Sequence, residues 1–474
     1  MTVTPDKQSL LAILQPHGQQ HLLDFWDEIS DSSKSQLAQQ ITQLDLPLID
    51  SLFHGNDDQP DWAELSRQAS PPQAIRLNQR NQGGSLNITA SEARTRGCEA
   101  LHAGQIGVLL TAGGQGTRLG YDQPKSTYPI GPISQASLLQ IHCEKIVAAS
   151  QKYGVSIPLY LMTSPATHAD TVQFLKANNN FGLSESDLLV FCQGTMPAVD
   201  INTGRLLLEA KDRLFLSPDG HGGTVAALHN SGAIEQIHDR NIRHLFYLQV
   251  DNPLVPICDP ELIGYHLAAK SELTSIAIAK ETPQERLGNF ATIDGRQQII
   301  EYSDLPDDVA ELRDESGELK FWAGSIAIHI FDVVLIDRSL QAAHTLPFHI
   351  AHKKVPHLNP DGSTTNPTEP NALKFEKFIF DLLPAAERPL VVEYPEQDCF
   401  APLKNAPGAA KDTPEYVQHM MLDQHRRWLQ ATGAKLADGI NIEISPSYAL
   451  DPQQLADRLP PNQTFSESQY LTNN

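Results

Sequence analysis

The run Thr111-Ala-Gly-Gly-Gln-Gly-Thr-Arg-Leu-Gly120 constrains this chain more than any other stretch. It follows Ile106-Gly-Val-Leu-Leu110, a short apolar run of the kind that forms a strand buried on both faces. It precedes Ser137-Leu-Leu-Gln-Ile-His-Cys-Glu-Lys-Ile146, where apolar residues recur at helical spacing. Strand, glycine loop and helix together turn a row of backbone N–H groups toward a phosphate. Gly113, Gly114 and Gly116 lack the Cβ atoms that would hold a phosphate chain away. Thr117 adds a hydroxyl and Arg118 a planar fork of donors. Lys125, just past the loop, adds a second cation for the same anion. Two familiar phosphate loops are excluded by spacing. Lys125 follows a proline, not the glycine of a Walker A loop, and Leu119 stands where a dinucleotide fingerprint needs its third glycine.

Past this loop, apolar strand-like runs alternate with helical stretches. The clearest strands are Pro158–Thr163, Leu188–Cys192, Leu245–Val250, Ser275–Ala279 and Ser325–Ile330. The pattern predicts an α/β fold: a central, mostly parallel, Rossmann-like sheet with helices on both faces and ligands at the carboxyl ends of its strands. Upstream, Gln20–Ile29 and Gln36–Leu44 read as amphipathic helices, with Phe25 and Trp26 as packing residues, and 55–85 reads as a loop-rich linker. Asp304–Glu318 and Asn359–Pro370 read as mobile surface loops. The expected organisation is a helical N-terminal region (1–100), an α/β domain (101–385) and a small C-terminal region (386–474).

A net charge of −22, from 35 Lys and Arg against 57 Asp and Glu, argues against nucleic acid or an anionic membrane as partner. Any phosphate site must therefore be locally basic, and Arg118, Lys125, Lys374 and Lys404 are the candidates. No apolar stretch reaches the length of a membrane span, and no signal-peptide pattern opens the chain, so a cytoplasmic location is expected. The five cysteines lack CxxC spacing and read as reduced, mostly buried thiols. Asp251, in Tyr247-Leu-Gln-Val-Asp-Asn-Pro253, sits at the tip of a buried strand, where a carboxylate needs a partner or a metal.

Gly113-Gly-Gln-Gly-Thr-Arg-Leu-Gly120 with Pro124-Lys125 resembles the signature of the sugar-nucleotide uridylyltransferases, most closely the UDP-N-acetylglucosamine pyrophosphorylase branch. The resemblance continues in order to residue 405, through Phe191-Cys-Gln-Gly, Pro218-Asp-Gly-His-Gly, Ile299-Ile-Glu-Tyr-Ser, Trp322-Ala-Gly-Ser-Ile, Asn371–Asp381 and Phe400-Ala-Pro-Leu-Lys-Asn. It implies a Mg²⁺-dependent nucleotidyltransferase joining UTP to a sugar 1-phosphate, with pyrophosphate released.

By that resemblance Thr111, Ala112, Gly113, Gly114, Gln193 and Gly220 bind the nucleotide, Gln193 reading the imide edge of uracil with both a donor and an acceptor. His221, Glu301, Ser325, Phe378 and Phe380 face the sugar, Asp251 holds the metal, and Arg118, Lys125, Lys374 and Lys404 act on the phosphates. Thr111, Cys192, His221 and Ser325 depart from the residues usual in the N-acetylglucosamine branch. Phe378 and Phe380 imply N-acetylglucosamine 1-phosphate, whereas His221 and Ser325 imply glucose 1-phosphate or several hexose phosphates. A non-catalytic sugar-nucleotide sensor on the same fold is the alternative of another class.

Overall fold

The computed structural model describes residues 5–55, 61–82, 86–341 and 346–473. Contacts divide the chain into two compact units, each built from separate segments. One comprises residues 1–61, 194–223 and 346–379, and the other 62–193, 224–345 and 380–474. The boundaries follow spatial contact, not chain order.

The larger unit is organised by a ten-stranded sheet. Its strands, in chain order, are β1 (Ala74–Ile75), β2 (Ile106–Thr111), β3 (Leu159–Thr163), β4 (Leu188–Cys192) and β5 (His244–Gln249), then β6 (Leu273–Ala279), β7 (Gly288–Ile293), β8 (Arg296–Ile300), β9 (Ala323–Asp332) and β10 (Leu390–Glu393). The spatial order is β1-β10-β6-β9-β5-β2-β3-β4, with the β7–β8 hairpin attached to β9. The pairings along this path are parallel except the two made by β9, which is antiparallel to both β5 and β6. The expected mostly parallel α/β sheet is therefore present. All residues of β2 and β3 are buried, as their unbroken apolar runs require.

Helix Leu138–Tyr153 begins on Ser137, whose side chain accepts the Gln140 N–H, and ends on Gly154 at φ +66°. Helices Ala90–His102 and Pro260–Ala269 pack backbone to backbone. A Cβ on Gly97 would lie 1.8 Å from Pro260 O, and one on Gly264 would lie 1.7 Å from Ala93 O. Both helices and Leu138–Tyr153 share one core with β2, β5 and β9. Thr224–Asn230 and Val333–Gln341 lie against the sheet through β4 and β9. Helix Pro414–Ala431 leads into two short parallel strand pairs around Ile442, Ile444 and Phe465.

In the smaller unit, helices Lys7–Leu14, Asp31–Thr42 and Leu46–His54 bury Leu10, Leu14, Leu37, Ile41 and Ile49 against Val199, Leu206, Leu373 and Phe375. Phe25 and Trp26 belong to that core, so they are packing residues. Gln20–Ile29 is not the expected α-helix. Only Gln20–Leu23 coils, as a 3₁₀ turn, and the segment is tied at its start to a facing loop of the same unit: Gln19 donates to Gly204 O at 2.9 Å and His21 bonds Leu206 O at 2.9 Å. The linker reading of 55–85 also needs correction. Among its described residues are helix Trp62–Gln68 and β1, an edge strand of the main sheet recruited by β10.

Asp304–Glu318 contains a helical turn at Asp307–Ala310, and Asn359–Pro370 contributes Thr364–Thr365 to a small hairpin. The cysteines are free thiols, with Cys143, Cys258 and Cys399 buried and Cys192 exposed. Among the described residues, no helix is long and apolar enough to cross a membrane.

Candidate active site

In the larger unit, β2, β3, β4 and β5 run in the same direction, so their carboxyl ends lie together. Thr111 pairs with both Gln249 and Met162, and Thr163 pairs with Cys192. The glycine loop, Gln193 and Asp251 each follow one of these ends by one or two residues. This is the topological reason that stretches separated by dozens of residues converge.

The loop folds back on itself. Gly116 N–H donates to Gln123 O at 3.1 Å, and Lys125 N–H donates to Gly114 O at 3.1 Å. A Cβ on Gly116 would lie 2.6 Å from Tyr121 O, so only glycine permits this closure. Thr117, Arg118 and Leu119 form the turn, leaving Arg118 exposed. Gly113 is pinned from two sides. Its carbonyl accepts Ser164 Oγ–H at 2.8 Å, and a Cβ there would lie 2.5 Å from Gln193 Oε1. Gln193 is buried, and its N–H continues the sheet by donating to Thr163 O at 2.9 Å. Ala112 N–H donates to Met162 O at 2.7 Å. Thr111 turns its hydroxyl into the sheet, toward Leu248 O at 3.4 Å.

Lys125 Nζ donates to Asp251 Oδ2 at 3.2 Å, with the two side chains 17% and 14% exposed. Burial alone would raise the Asp251 pKa. The charges of Lys125 and Lys404, with the hydrogen bond from Lys125, outweigh it and hold the carboxyl below its ordinary value. Lys404 is brought here by the backbone: Leu403 N–H donates to Asp251 O at 2.8 Å and Lys404 N–H to Asp412 O at 2.9 Å. Asn252 clamps the same segment, donating to Cys399 O at 2.7 Å and accepting from Ala401 N–H at 3.1 Å.

Asp251, Lys404 and Ser325 line one pocket of about 470 Å³ together with Gln249, Gly288 and Arg286. Ser325 pairs in register with Gly288, whose missing Cβ would lie 3.3 Å from Glu301 Oε1, so Glu301 borders the same wall. Phe380 belongs to this unit and is buried.

The smaller unit holds Gly220, His221, Lys374 and Phe378. Gly220 has φ +84°, and a Cβ there would lie 2.4 Å from Lys377 O, so the turn rests on the strand Ala372–Lys377. His221 Nδ1 accepts the Ile379 N–H at 3.1 Å, which leaves its proton on Nε2. Its ring stacks on Phe378 at 5.3 Å and 20°, and His349 stacks on Phe378 at 4.3 Å and 30°. Burial, helped by the charge of His349, lowers the His221 pKa to about 4. Lys374 lies over the Phe215 ring at 4.9 Å, and burial lowers its pKa.

The profile of the UTP–glucose-1-phosphate uridylyltransferase family matches residues 71–438. The chain belongs to that family. Among its relatives, the UDP-N-acetylglucosamine pyrophosphorylase of Saccharomyces cerevisiae is 39% identical over 364 residues, 74% of this chain and 76% of its own. UDP-N-acetylhexosamine pyrophosphorylase-like protein 1 of Xenopus tropicalis is 33% identical over 95% of this chain and 91% of its own. Among solved structures, the uridine diphosphate N-acetylglucosamine pyrophosphorylase of Trypanosoma brucei, in complex with an inhibitor, superposes with a TM-score of 0.81. It is 25% identical, over 98% of this chain and 99% of that one.

Arg286, Asn252, Ser164, Asp412 and His349 were not singled out by sequence reading. Asn252 was the most accessible of them, since it directly follows the strand-tip Asp251. The others carry no motif and are identified by fold alone: Arg286 by the β9 pairing that brings β7 to the pocket, His349 by the pairing of Phe348–Lys353 with Ala372–Lys377.

Proposed function

We propose that this chain is a Mg²⁺-dependent uridylyltransferase that makes a UDP-sugar and pyrophosphate from UTP and a sugar 1-phosphate, with N-acetylglucosamine 1-phosphate preferred. The observation that carries the reading is the convergence of Lys125, Asp251 and Lys404 beside a glycine loop at the carboxyl ends of β2 and β5. The N-acetylglucosamine and N-acetylhexosamine pyrophosphorylases among its relatives support both the chemistry and the N-acetylated sugar.

The reaction needs no covalent enzyme intermediate. An oxygen of the sugar phosphate attacks the α-phosphorus of UTP in line, and the bond from that phosphorus to the α,β-bridging oxygen breaks. Catalysis is then positioning and neutralisation of charge. Arg118 and Lys125 hold the triphosphate and the departing pyrophosphate, while Lys404 orients the attacking phosphate. Gly113, Gly114 and Gln193 recognise uridine. Asp251 offers one ionised carboxylate, the donor count Mg²⁺ uses where substrate phosphates complete its shell. Mg²⁺ bound there would supply Lewis-acid neutralisation of phosphate charge.

His221 and Ser325 favour a second reading in which glucose 1-phosphate is the better acceptor. The decisive assay is pyrophosphate release from UTP with a panel of sugar 1-phosphates, with and without Mg²⁺. Turnover on N-acetylglucosamine 1-phosphate that needs Mg²⁺ and fails in Asp251→Asn supports the proposal. Turnover only on unacetylated sugars overturns the sugar assignment, and turnover without any divalent ion overturns the metal assignment.

A further inference from the structure

At the end of β5 away from Asp251, seven residues or about 23 Å along a fully extended chain, three ligand-type side chains meet. His244 opens β5 and pairs in register with Asp332, the last residue of β9. His266 reaches them from helix Pro260–Ala269. Ligand atoms of the three all lie within 4.8 Å of one another. His266 Nε2 is 3.1 Å from His244 Nδ1, and His244 Nδ1 is 3.8 Å from Asp332 Oδ2. Both histidines are buried, whereas the Asp332 side chain is 28% exposed.

These distances suit a tetrahedral ion. Bonds of about 2.0–2.1 Å at the tetrahedral angle place two ligand nitrogens about 3.3 Å apart, and a nitrogen and an oxygen at a similar distance. The two imidazoles already have that spacing, and the partly exposed Asp332, 3.8 Å from His244 Nδ1 and within 4.8 Å of both rings' ligand atoms, has to move toward them to complete the set. The outer partner that orients a ligating histidine is also present. His266 Nδ1 bonds Thr274 Oγ1 at 2.9 Å, which leaves Nε2 directed at His244. The Ser271 hydroxyl is buried without a hydrogen-bond partner and lines the same pocket, which opens to the surface over about 630 Å³ with Lys270 and Arg388 among its lining residues.

We propose that His244, His266 and Asp332 form a binding site for a divalent transition ion of the zinc type, separate from the phosphate site and with a fourth position facing the pocket. The ion takes the place of the hydrogen bond that now joins the two rings. Two imidazoles and a carboxylate select zinc or cobalt over Mg²⁺, which prefers oxygen ligands. Such an ion ties β5, β9 and the intervening helix together, so it stabilises the folded chain in proportion to its concentration.

The test is titration of the full chain with Co²⁺, read by visible absorption, and with Zn²⁺, read by bound metal after dialysis and by Tm. The expected result is about one tightly held ion per chain, the intense visible bands of four-coordinate cobalt, and a zinc-dependent rise in Tm. Asp332→Asn and His266→Gln should weaken binding by about 10–100-fold or more, a scale reached even by losing partners behind metal ligands. Asp251→Asn should bind as tightly as the wild type. Asp332→Asn changes a partly exposed side chain, so it serves even where the buried histidine variant does not fold. Absence of a stoichiometric ion in the wild type, or unchanged binding in Asp332→Asn, overturns the site and leaves a plain hydrogen bond between two histidines.

Discussion

Lys125 and Asp251, 126 residues apart in sequence, are joined by a hydrogen bond of 3.2 Å at the mouth of the glycine loop. Each is needed elsewhere in the proposed reaction, the lysine on phosphate and the carboxylate on the metal. Their pairing is therefore how two partly buried opposite charges are satisfied before substrates arrive. Lys404 adds a second positive charge to the same carboxylate, which keeps Asp251 ionised through the exchange.

Replacing Lys125 with Ala should lower kcat by about 10²–10³-fold, the scale of losing one charge contact to the transition state. UTP affinity should suffer less than turnover, because Arg118 and the loop backbone remain. Steady-state kinetics with a direct UTP-binding measurement check this. Near-normal kcat in a folded variant would remove Lys125 from the chemistry.

Gln193, packed against Gly113, should make the enzyme prefer UTP to CTP. Cytosine presents a donor where uracil presents an acceptor, and one unpaired buried polar group costs roughly 1–3 kcal/mol, or about 10–100-fold in kcat/KM. Gly113→Ala, with its Cβ 2.5 Å from Gln193 Oε1, should displace that amide and erode the preference. Equal kcat/KM for UTP and CTP in the wild type would count against a base-reading role.

N-acetylglucosamine 1-phosphate should be preferred over glucose 1-phosphate by only about tenfold, because one acetyl methyl gains about 1–2 kcal/mol from apolar contact. His221 and Phe378, whose motifs imply different sugars, are stacked on one another, and His221 is neutral near pH 7. A neutral imidazole against an aromatic ring is a mild surface, compatible with either substituent. Side-by-side kcat/KM values decide the order, and a preference for glucose 1-phosphate would reverse it.

Gly264→Ala should destabilise the larger unit by about 1–3 kcal/mol or more, since overpacking here pushes on backbone. The added Cβ falls 1.7 Å from Ala93 O and forces two helices apart. Gly55→Ala is the control: φ is −85° with nothing within 4 Å of a Cβ, so it should be neutral or slightly stabilising. Thermal or denaturant unfolding of both variants checks the contrast, and equal stabilities would contradict the tight crossing.

Acid should unfold this protein partly through buried histidines. Burial lowers the His142 and His425 pKa values to about 3 and that of His221 to about 4. The unfolded chain protonates its histidines near pH 6.5, where the folded chain does not, so stability falls as pH drops from about 6.5 toward 3–4. Each fully buried histidine contributes on the order of 3–5 kcal/mol across that window. His142→Gln, replacing a side chain whose Nε2 bonds Val250 O at 3.0 Å, should flatten this acid slope in denaturant titrations. An unchanged slope would exclude His142 from it.

Local pattern alone determined the glycine loop, the buried strands around it, the Ser137-capped helix and the sheet class. Backbone freedom at glycine, runs of apolar side chains and helix capping act over a few residues, so they are legible in order along the chain. The same locality explains what was misread. Gln20–Ile29 has helical spacing but is held by bonds to Gly204 and Leu206, and β1 is too short and polar in context to be a strand until β10 pairs with it. Tertiary structure alone decided which charges meet. The parallel register of β2 with β5 sets Lys125 on Asp251, the antiparallel course of β9 brings Ser325, Gly288 and Arg286 to one pocket, and its far end sets Asp332 beside His244. Ion pairing and ligand convergence depend on distances between strands, and strand order is a global compromise of burial and crossover geometry that no short stretch encodes.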